Sequence, residues 1–338
     1  MSSEVPASKK QKLDTKVIGT HNGTFHCDEA LAVYMLRQTA TYKDANLKRS
    51  RDPAVLDTCD IVVDVGGIYD EAKQRFDHHQ RGFTEVFGNG FNTKLSSAGL
   101  VYKHFGKEII ASRTQLSIDD PKVHILWLKL YEGFIESIDA IDNGISQYDT
   151  DVKPRYKIRT DLSSRVGSVN PAWNESVDPV HVDALFEKAS AMTGVDFSDK
   201  LRGYANSWLP ARDIVVESVK KSKAEVDPTG RIIVLSQFAP WKEHLFELEA
   251  EQGATGTSIY VLYEDDTSHD WRISAVPVSL DRFGDRKSLP EAWRGVRDQE
   301  LSKISGIDGC IFVHASGFTG GNKTYDGALA MAKAALEI

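Results

Sequence analysis

The sequence predicts an α/β protein: an N-terminal domain built on a mainly parallel sheet flanked by helices, followed by a smaller C-terminal α/β domain. Three observations carry this. Short β-branched runs alternate with helix-length apolar periodicities as far as Asn143-Gly144, the pattern of strands joined by crossover helices. A turn-rich stretch from about 150 to 195 and a further helical stretch then break the alternation. After Asp227-Pro228-Thr229-Gly230 a second set of strand-like runs begins. A chain of 338 residues has room for two such domains. The boundaries that follow are a disordered basic tail at 1–14, a first domain at 15–195, a helical linker at 196–228 and a second domain at 229–338.

Each element has its own signal. Val17–Thr20 is a β-branched strand, and Glu29–Gln38 an apolar helix. "DIVVDVGG" (Asp60–Gly67) is a buried-type strand ending in a Gly-Gly turn. Ser96 and Ser97 supply an N-cap for a helix over "SSAGLVYKHF". A long amphipathic helix starts at Pro121 and ends at Asn143-Gly144, with Val123, Trp127, Leu130, Phe134, Ile138 and Ile141 at steps of three and four. Phe197–Ser222 is helical. In the second domain "RIIVLS", "SIYVLY", "WRISAVPV" and "GCIFVHAS" are strands, "APWKEHLFELEA" is a helix, and Tyr325–Leu336 is a last helix after the loop "GFTGGNKT".

Composition narrows the function. No apolar stretch is long enough to cross a bilayer. The three cysteines, Cys27, Cys59 and Cys310, are scattered, which argues against a disulfide framework or a zinc ribbon. A formal net charge of −8 excludes a basic particle that coats nucleic acid, so contacts to a nucleic acid would come from a local groove or from bound metal. The tail contains "PASKKQKLD", a basic cluster similar to a nuclear-import signal, and lacks the pattern of a secretory signal or a transit peptide.

The chemistry gathers at element ends. His21, His26 and Asp28 follow the first strand, Asp64 ends "DIVVD", Asp77-His78-His79 follows in "RFDHHQ", and Asp139 and Asp142 end the long helix. In an open α/β sheet, ligands collect beyond the carboxyl ends of the strands. Imidazole with carboxylate suits Mn²⁺, Fe²⁺ or Zn²⁺ better than Mg²⁺. The donors are too many for one ion, and two ions about 4 Å apart, bridged by one carboxylate, would use them all.

These residues carry a resemblance. "DHH" at 77–79, the strand-ending Asp64, the N-terminal His/Asp cluster and a later helical Asp are similar to the four motifs of the DHH phosphoesterase superfamily. More closely, "GTHNGTFHCDEALA", "DHHQR", "TKLSSAGLVY", "AIDNGIS", "LPEAWRG" and "SGIDGCIFVHASGFTGG" resemble the Myg-type 3′→5′ RNA exonucleases, from about Lys16 to the C-terminus. The resemblance implies a DHH-type first domain with the active site in the cleft between the two domains. It implies single-stranded RNA or a short oligonucleotide as partner, two divalent cations with Mn²⁺ ahead of Mg²⁺, and release of nucleoside monophosphates. The family is associated with nucleus and mitochondrion, while the basic tail points to nucleus and cytoplasm.

By the same resemblance His21, His26 and Asp64 hold one metal, and Asp28, Asp64, His78 and Asp142 the second, with Asp139 the alternative to Asp142. Asp77 orients a ligating imidazole, and His79 contacts phosphate or donates a proton. His26 stands where the superfamily has an aspartate; the added imidazole softens the site toward Mn²⁺. Substrate contacts fall to the helix start at Ser96 and Ser97, and in the second domain to Arg272, Arg294 and His314. There "GFTGGNKT" reads as a glycine-rich anion cradle with Gly320, Gly321, Asn322 and Lys323. Arg297 is a further groove candidate, whereas Trp271 and Trp293 are read as packing. Two other readings are open: a hydrolase of a small phosphorylated metabolite, dinucleotide or pyrophosphate, and a non-catalytic metal-stabilised scaffold.

Overall fold

A computed structural model describes residues 15–148 and 153–338; the sequence reading of 1–14 as a tail lies outside these. The described chain divides into two compact units, with the division between Tyr204 and Ala205.

In the first unit the elements are β1 (Val17–Thr20), α1 (Cys27–Leu36), β2 (Asn46–Arg49), α2 (Pro53–Leu56), β3 (Ile61–Val63), β4 (Tyr69–Asp70), β5 (Arg75–Phe76), β6 (Val86–Gly88), β7 (Phe91–Lys94), α3 (Ser97–Thr114), α4 (Pro121–Leu130), α5 (Glu136–Asp142), α6 (Leu162–Gly167) and α7 (Pro179–Gly203). The main sheet has the order β2-β1-β3-β5-β4 and is parallel except for β4. β3 is buried at all three positions, as a parallel strand covered on both faces must be, which is why "IVV" carries no alternation. Helix α1 is buried along nearly its whole length and packs against α3 and α7.

The helix expected from Pro121 to Asn143 is interrupted by a wide π turn at Tyr131–Ile135. Gly133 sits there because the Tyr204 hydroxyl occupies the place of a β-carbon. The extra residue advances the apolar stripe by one, so that Ile135, Ile138 and Asp139 face inward and Ile141 is left half exposed. The sequence period missed this slip. It also missed β2, whose "NLKR" is polar because it is an edge strand, and the start of α7 at Pro179, hidden in a turn-rich composition.

The second unit contains α8 (Leu209–Glu225), β8 (Ile232–Val234), α9 (Lys242–Glu251), β9 (Tyr260–Glu264), β10 (Trp271–Ala275), α10 (Asp298–Ser305), β11 (Cys310–Val313), β12 (Thr319–Asn322) and α11 (Tyr325–Glu337). Its sheet, ordered β11-β12-β10-β9-β8, is parallel only at β8–β9. "TGGN" is therefore an interior strand instead of a loop, paired on both sides. Glycine is needed at these positions because Leu289, Phe312 and Trp271 press against the strand where β-carbons would stand. Trp293 lies in the core of this unit, as its reading as a packing residue requires.

Candidate metal centre

The donors come together at the carboxyl ends of β1 and β3, in a cavity of about 540 Å³ within the first unit. His21 follows β1 directly. The loop after it is clamped from two sides. Asn170 accepts the Phe25 N–H at 3.0 Å and donates to the Phe25 carbonyl at 2.8 Å. The Arg49 guanidinium donates to the carbonyls of His21 and Gly23 at 3.1 and 2.7 Å and lies over the Phe25 and Phe186 rings. The loop then enters α1, whose first turn supplies Asp28 and Glu29, both fully buried.

Asp64 ends β3 in the left-handed region, at φ 57°, a conformation aspartate tolerates better than most residues. Its carboxylate accepts the Ser97 hydroxyl at 3.1 Å. His21 Nε2 lies 3.3 Å from Asp64 Oδ2 and 3.0 Å from Glu29 Oε1. On the other side His78 Nε2 lies 3.4 Å from Asp64 Oδ1 and 3.1 Å from Asp142 Oδ2. Asp64 thus stands between two imidazoles, one per carboxylate oxygen. The groups able to hold an ion are His21, His26, Glu29 and Asp64, then Asp64, Asp77, His78 and His79, then Asp28, His78 and Asp142.

The fit to cations can be tested on buried atoms without partners. Both oxygens of Asp28, Glu29 Oε2 and His78 Nε2 are buried and make no hydrogen bond. Uncompensated carboxylate oxygens this deep are costly, and a bound cation is the partner that removes the cost. His78 Nε2 is 3.1 Å from a carboxylate yet outside hydrogen-bond geometry, as expected of two donors that share an ion. The residues fit divalent cations.

Glu29 was not among the sequence candidates. Its spacing after His26 marks it as the N3 residue of a capping box, and it does accept the His26 N–H at 2.8 Å. That local role concealed the second oxygen. Asp139, the expected alternative to Asp142, turns away from the donors. It accepts four hydrogen bonds, from Ser96 N–H and Oγ, Gly99 N–H and the Tyr131 hydroxyl. Ser96 and Ser97 are likewise fully buried supports of Asp139 and Asp64, and the Ala98 and Gly99 amides beside them donate to Ser96 Oγ and Asp139. Asp77 holds Nδ1 of the exposed His79 at 2.8 Å and the Gly67 N–H at 2.6 Å; the imidazole it orients is therefore that of His79.

In the second unit the residues of the expected anion cradle lie in and beside β12. The Gly320 and Gly321 residues belong to β12, and fully buried Asn322 donates to the Asp308 carbonyl at 2.8 Å and accepts the Thr324 N–H at 3.0 Å. Arg272 lies 3.4 Å from Asp265 and Arg294 donates to the Leu289 carbonyl at 2.9 Å. His314 contacts Ser316 at 2.9 Å, and it and Lys323 are exposed. Arg297 is exposed with its guanidinium over Phe312, and half-buried Trp271 packs on Tyr325.

Electrostatics follow from this crowding. Burial opposes charge on His21, but Asp64 and Glu29 outweigh it and push the imidazole up to about 10. His78 is pushed up to about 10 in the same way, by Asp142 and Asp64 against burial. Asp64 is held well below the ordinary carboxylate range by the two imidazoles despite its burial, whereas burial and the neighbouring carboxylates raise Asp28. For each imidazole the folded value exceeds the ordinary 6.5, so in the metal-free protein this pairing stabilises fully below about 6.5 and is lost as pH rises through about 10. Near neutral pH both rings are protonated and must lose a proton to bind a cation. Mn²⁺ binding at pH 7 is expected to release about two protons per chain, read by calorimetry in buffers of different ionisation enthalpy. Heats independent of the buffer would contradict this.

The sequence matches the MYG1_exonuc family, described as an uncharacterised protein family (UPF0160), over residues 17–336. Among curated relatives, the MYG1 exonuclease of Homo sapiens is 49% identical over 325 residues, 94% of this chain and 85% of that protein. The MYG1 exonuclease of Bos taurus is 50% identical over 94% of this chain and 84% of its own length. The MYG1 protein of Dictyostelium discoideum is 50% identical over 93% and 94%. A pGpG-specific phosphodiesterase of known structure aligns over 95% of this chain and 100% of its own, at 12% identity and a TM-score of 0.27.

Proposed function

The chain belongs to the MYG1 exonuclease family, and on that premise we propose that it is a metal-dependent nuclease, specifically a 3′→5′ exoribonuclease that releases nucleoside monophosphates. The observation that supports this best is that Asp64, in the wall of one cavity, belongs to two of the three His/carboxylate groups and stands between His21 and His78, the latter shared with the third. His21, His26, Glu29 and Asp64 would hold one divalent cation, and Asp28, Asp64, His78 and Asp142 a second; Mn²⁺ is the proposed metal because imidazoles share the donor set. The chemistry such a pair supplies when bound is Lewis-acid polarisation of the phosphoryl group and activation of the attacking water.

The chain's own residues do the rest. Asp64 is fixed between His21 and His78 by its backbone and by Ser97, so the two donor sets keep one spacing. His79 borders the cavity with its outer face in solvent, and Asp77 holds its Nδ1 at 2.8 Å and so fixes the ring, which makes its Nε2 the proposed proton donor to the departing oxygen. Single-stranded RNA is the proposed substrate, in nucleus and cytoplasm with the mitochondrion as a further site. The formal net charge of −8 favours one competing substrate class, a small phosphorylated compound.

The test is release of mononucleotides from a 3′-labelled single-stranded RNA with Mn²⁺, challenged by excess DNA, dinucleotide or pyrophosphate. Labelled mononucleotide that persists against all three supports the exoribonuclease. Preferential turnover of the dinucleotide or pyrophosphate would replace RNA as substrate. Metal that raises the melting temperature without turnover of any phosphodiester would leave the scaffold reading.

A further inference from the structure

The cavity bounded by Asp64, Asp77 and Asp142 has, besides its histidines, a single arginine and no lysine among its described lining: Arg51. The topology puts it there. β2 runs parallel to β1 with Arg49 opposite Thr20, so the chain leaving β2 emerges beside His21 as it leaves β1. Asp52 caps α2 through the Ala54 N–H at 2.9 Å, and its own N–H is held by Ser50 Oγ at 3.1 Å, so Arg51 stands on a pinned turn. The neighbouring arginine is fully engaged: Arg49 bonds two carbonyls and Asp183 and covers two rings. Arg51 is exposed and forms no ion pair with any described residue, although it borders an acidic cavity. Its one polar contact among the described residues is Nη2 at 3.2 Å from His21 Nδ1.

That contact cannot persist in every state of the site. His21 Nδ1 also lies 3.1 Å from the Asn22 carbonyl. A ring nitrogen either carries hydrogen and donates to Asn22 or offers a lone pair to Arg51, and it cannot do both. With Nε2 committed to a cation, Nδ1 must carry the hydrogen, and the Asn22 carbonyl becomes its partner. Arg51 is then left without an acceptor beside a cavity whose negative charge a cation has offset. A guanidinium so placed is the permanently charged, two-pronged donor that phosphate oxygens take.

We propose that Arg51 is a substrate-binding residue of this site, gripping the non-bridging oxygens of the phosphate to be cleaved. This rests on the phosphodiesterase reading above. The test uses the full chain and compares Arg51→Gln and Arg51→Lys with wild type. The competitive inhibition constant of inorganic phosphate, KM, and Mn²⁺ stoichiometry by equilibrium dialysis are measured. Arg51→Gln is expected to weaken phosphate and raise KM by about tenfold or more, with Arg51→Lys intermediate and Mn²⁺ binding within twofold of wild type in both. Phosphate inhibition within twofold of wild type in Arg51→Gln, with turnover intact, would overturn the assignment and leave the phosphodiesterase reading standing. A phosphate defect accompanied by loss of Mn²⁺ would also overturn it, showing Arg51 to act through His21. Wild type that neither binds phosphate nor turns over a phosphodiester would overturn both.

Discussion

Asp64→Asn is expected to lower kcat for phosphodiester hydrolysis by roughly a thousandfold or more, the scale set by losing a group that organises transition-state charge. The argument is geometric. Each oxygen of Asp64 faces a different imidazole, at 3.3 and 3.4 Å, so one substitution damages both donor sets. Asparagine keeps the shape, tolerates φ 57° and can still accept the Ser97 hydroxyl. It removes the negative charge that a divalent ion needs and replaces one oxygen by an NH₂ group that cannot coordinate. Circular dichroism of the variant should match wild type. Activity within tenfold of wild type in a folded variant would mean that Asp64 does not join the two sets.

Asp139→Ala should have the largest effect on stability, roughly 3 to 5 kcal/mol, because it strands several buried donors at once. Its carboxylate collects the start of α3 and the Tyr131 hydroxyl into one hub. Gly99 belongs to the same device, since a methyl there would strike that carboxylate. Asp139→Asn retains an acceptor and the volume, and is expected to cost about 1 kcal/mol. The pair also carries a pH signature. Burial, outweighing four hydrogen bonds, pushes the Asp139 carboxyl up to about 7 from its ordinary 3.8. The folded state therefore holds this proton more tightly, and the associated stability is complete below about 3.8 and lost as pH rises through about 7. Asp139→Asn lacks that loss, so urea unfolding should show the variant gaining on wild type between about pH 4 and 7. Parallel curves would show that Asp139 is ionised throughout.

Much of the centre was legible because its donors obey a simple placement rule. His21, Asp64 and His78 sit at strand ends or just beyond them, and strand ends in a parallel sheet share an edge. What escaped was whatever depended on tertiary partners. Asp139 and Asp142 look alike in sequence, three residues apart on one helix, and only the packing of α3 turns one into a hub and leaves the other beside His78. Glu29 was masked by its capping position, and Arg51 by lying after a polar edge strand that no hydrophobic pattern announces. The strand at 319–322 was hidden in the sequence because a glycine-rich loop and a crowded interior strand ask for the same residue, one for freedom of turning and the other for approach by neighbouring chain.

The measurement that bears most directly on the shared carboxylate is anomalous diffraction at the manganese edge from crystals of the full chain grown with Mn²⁺. Two peaks are expected, one among His21, His26, Glu29 and Asp64 and one among Asp28, Asp64, His78 and Asp142, with a different Asp64 oxygen on each. A single peak, or two of which one does not touch Asp64, would contradict the account.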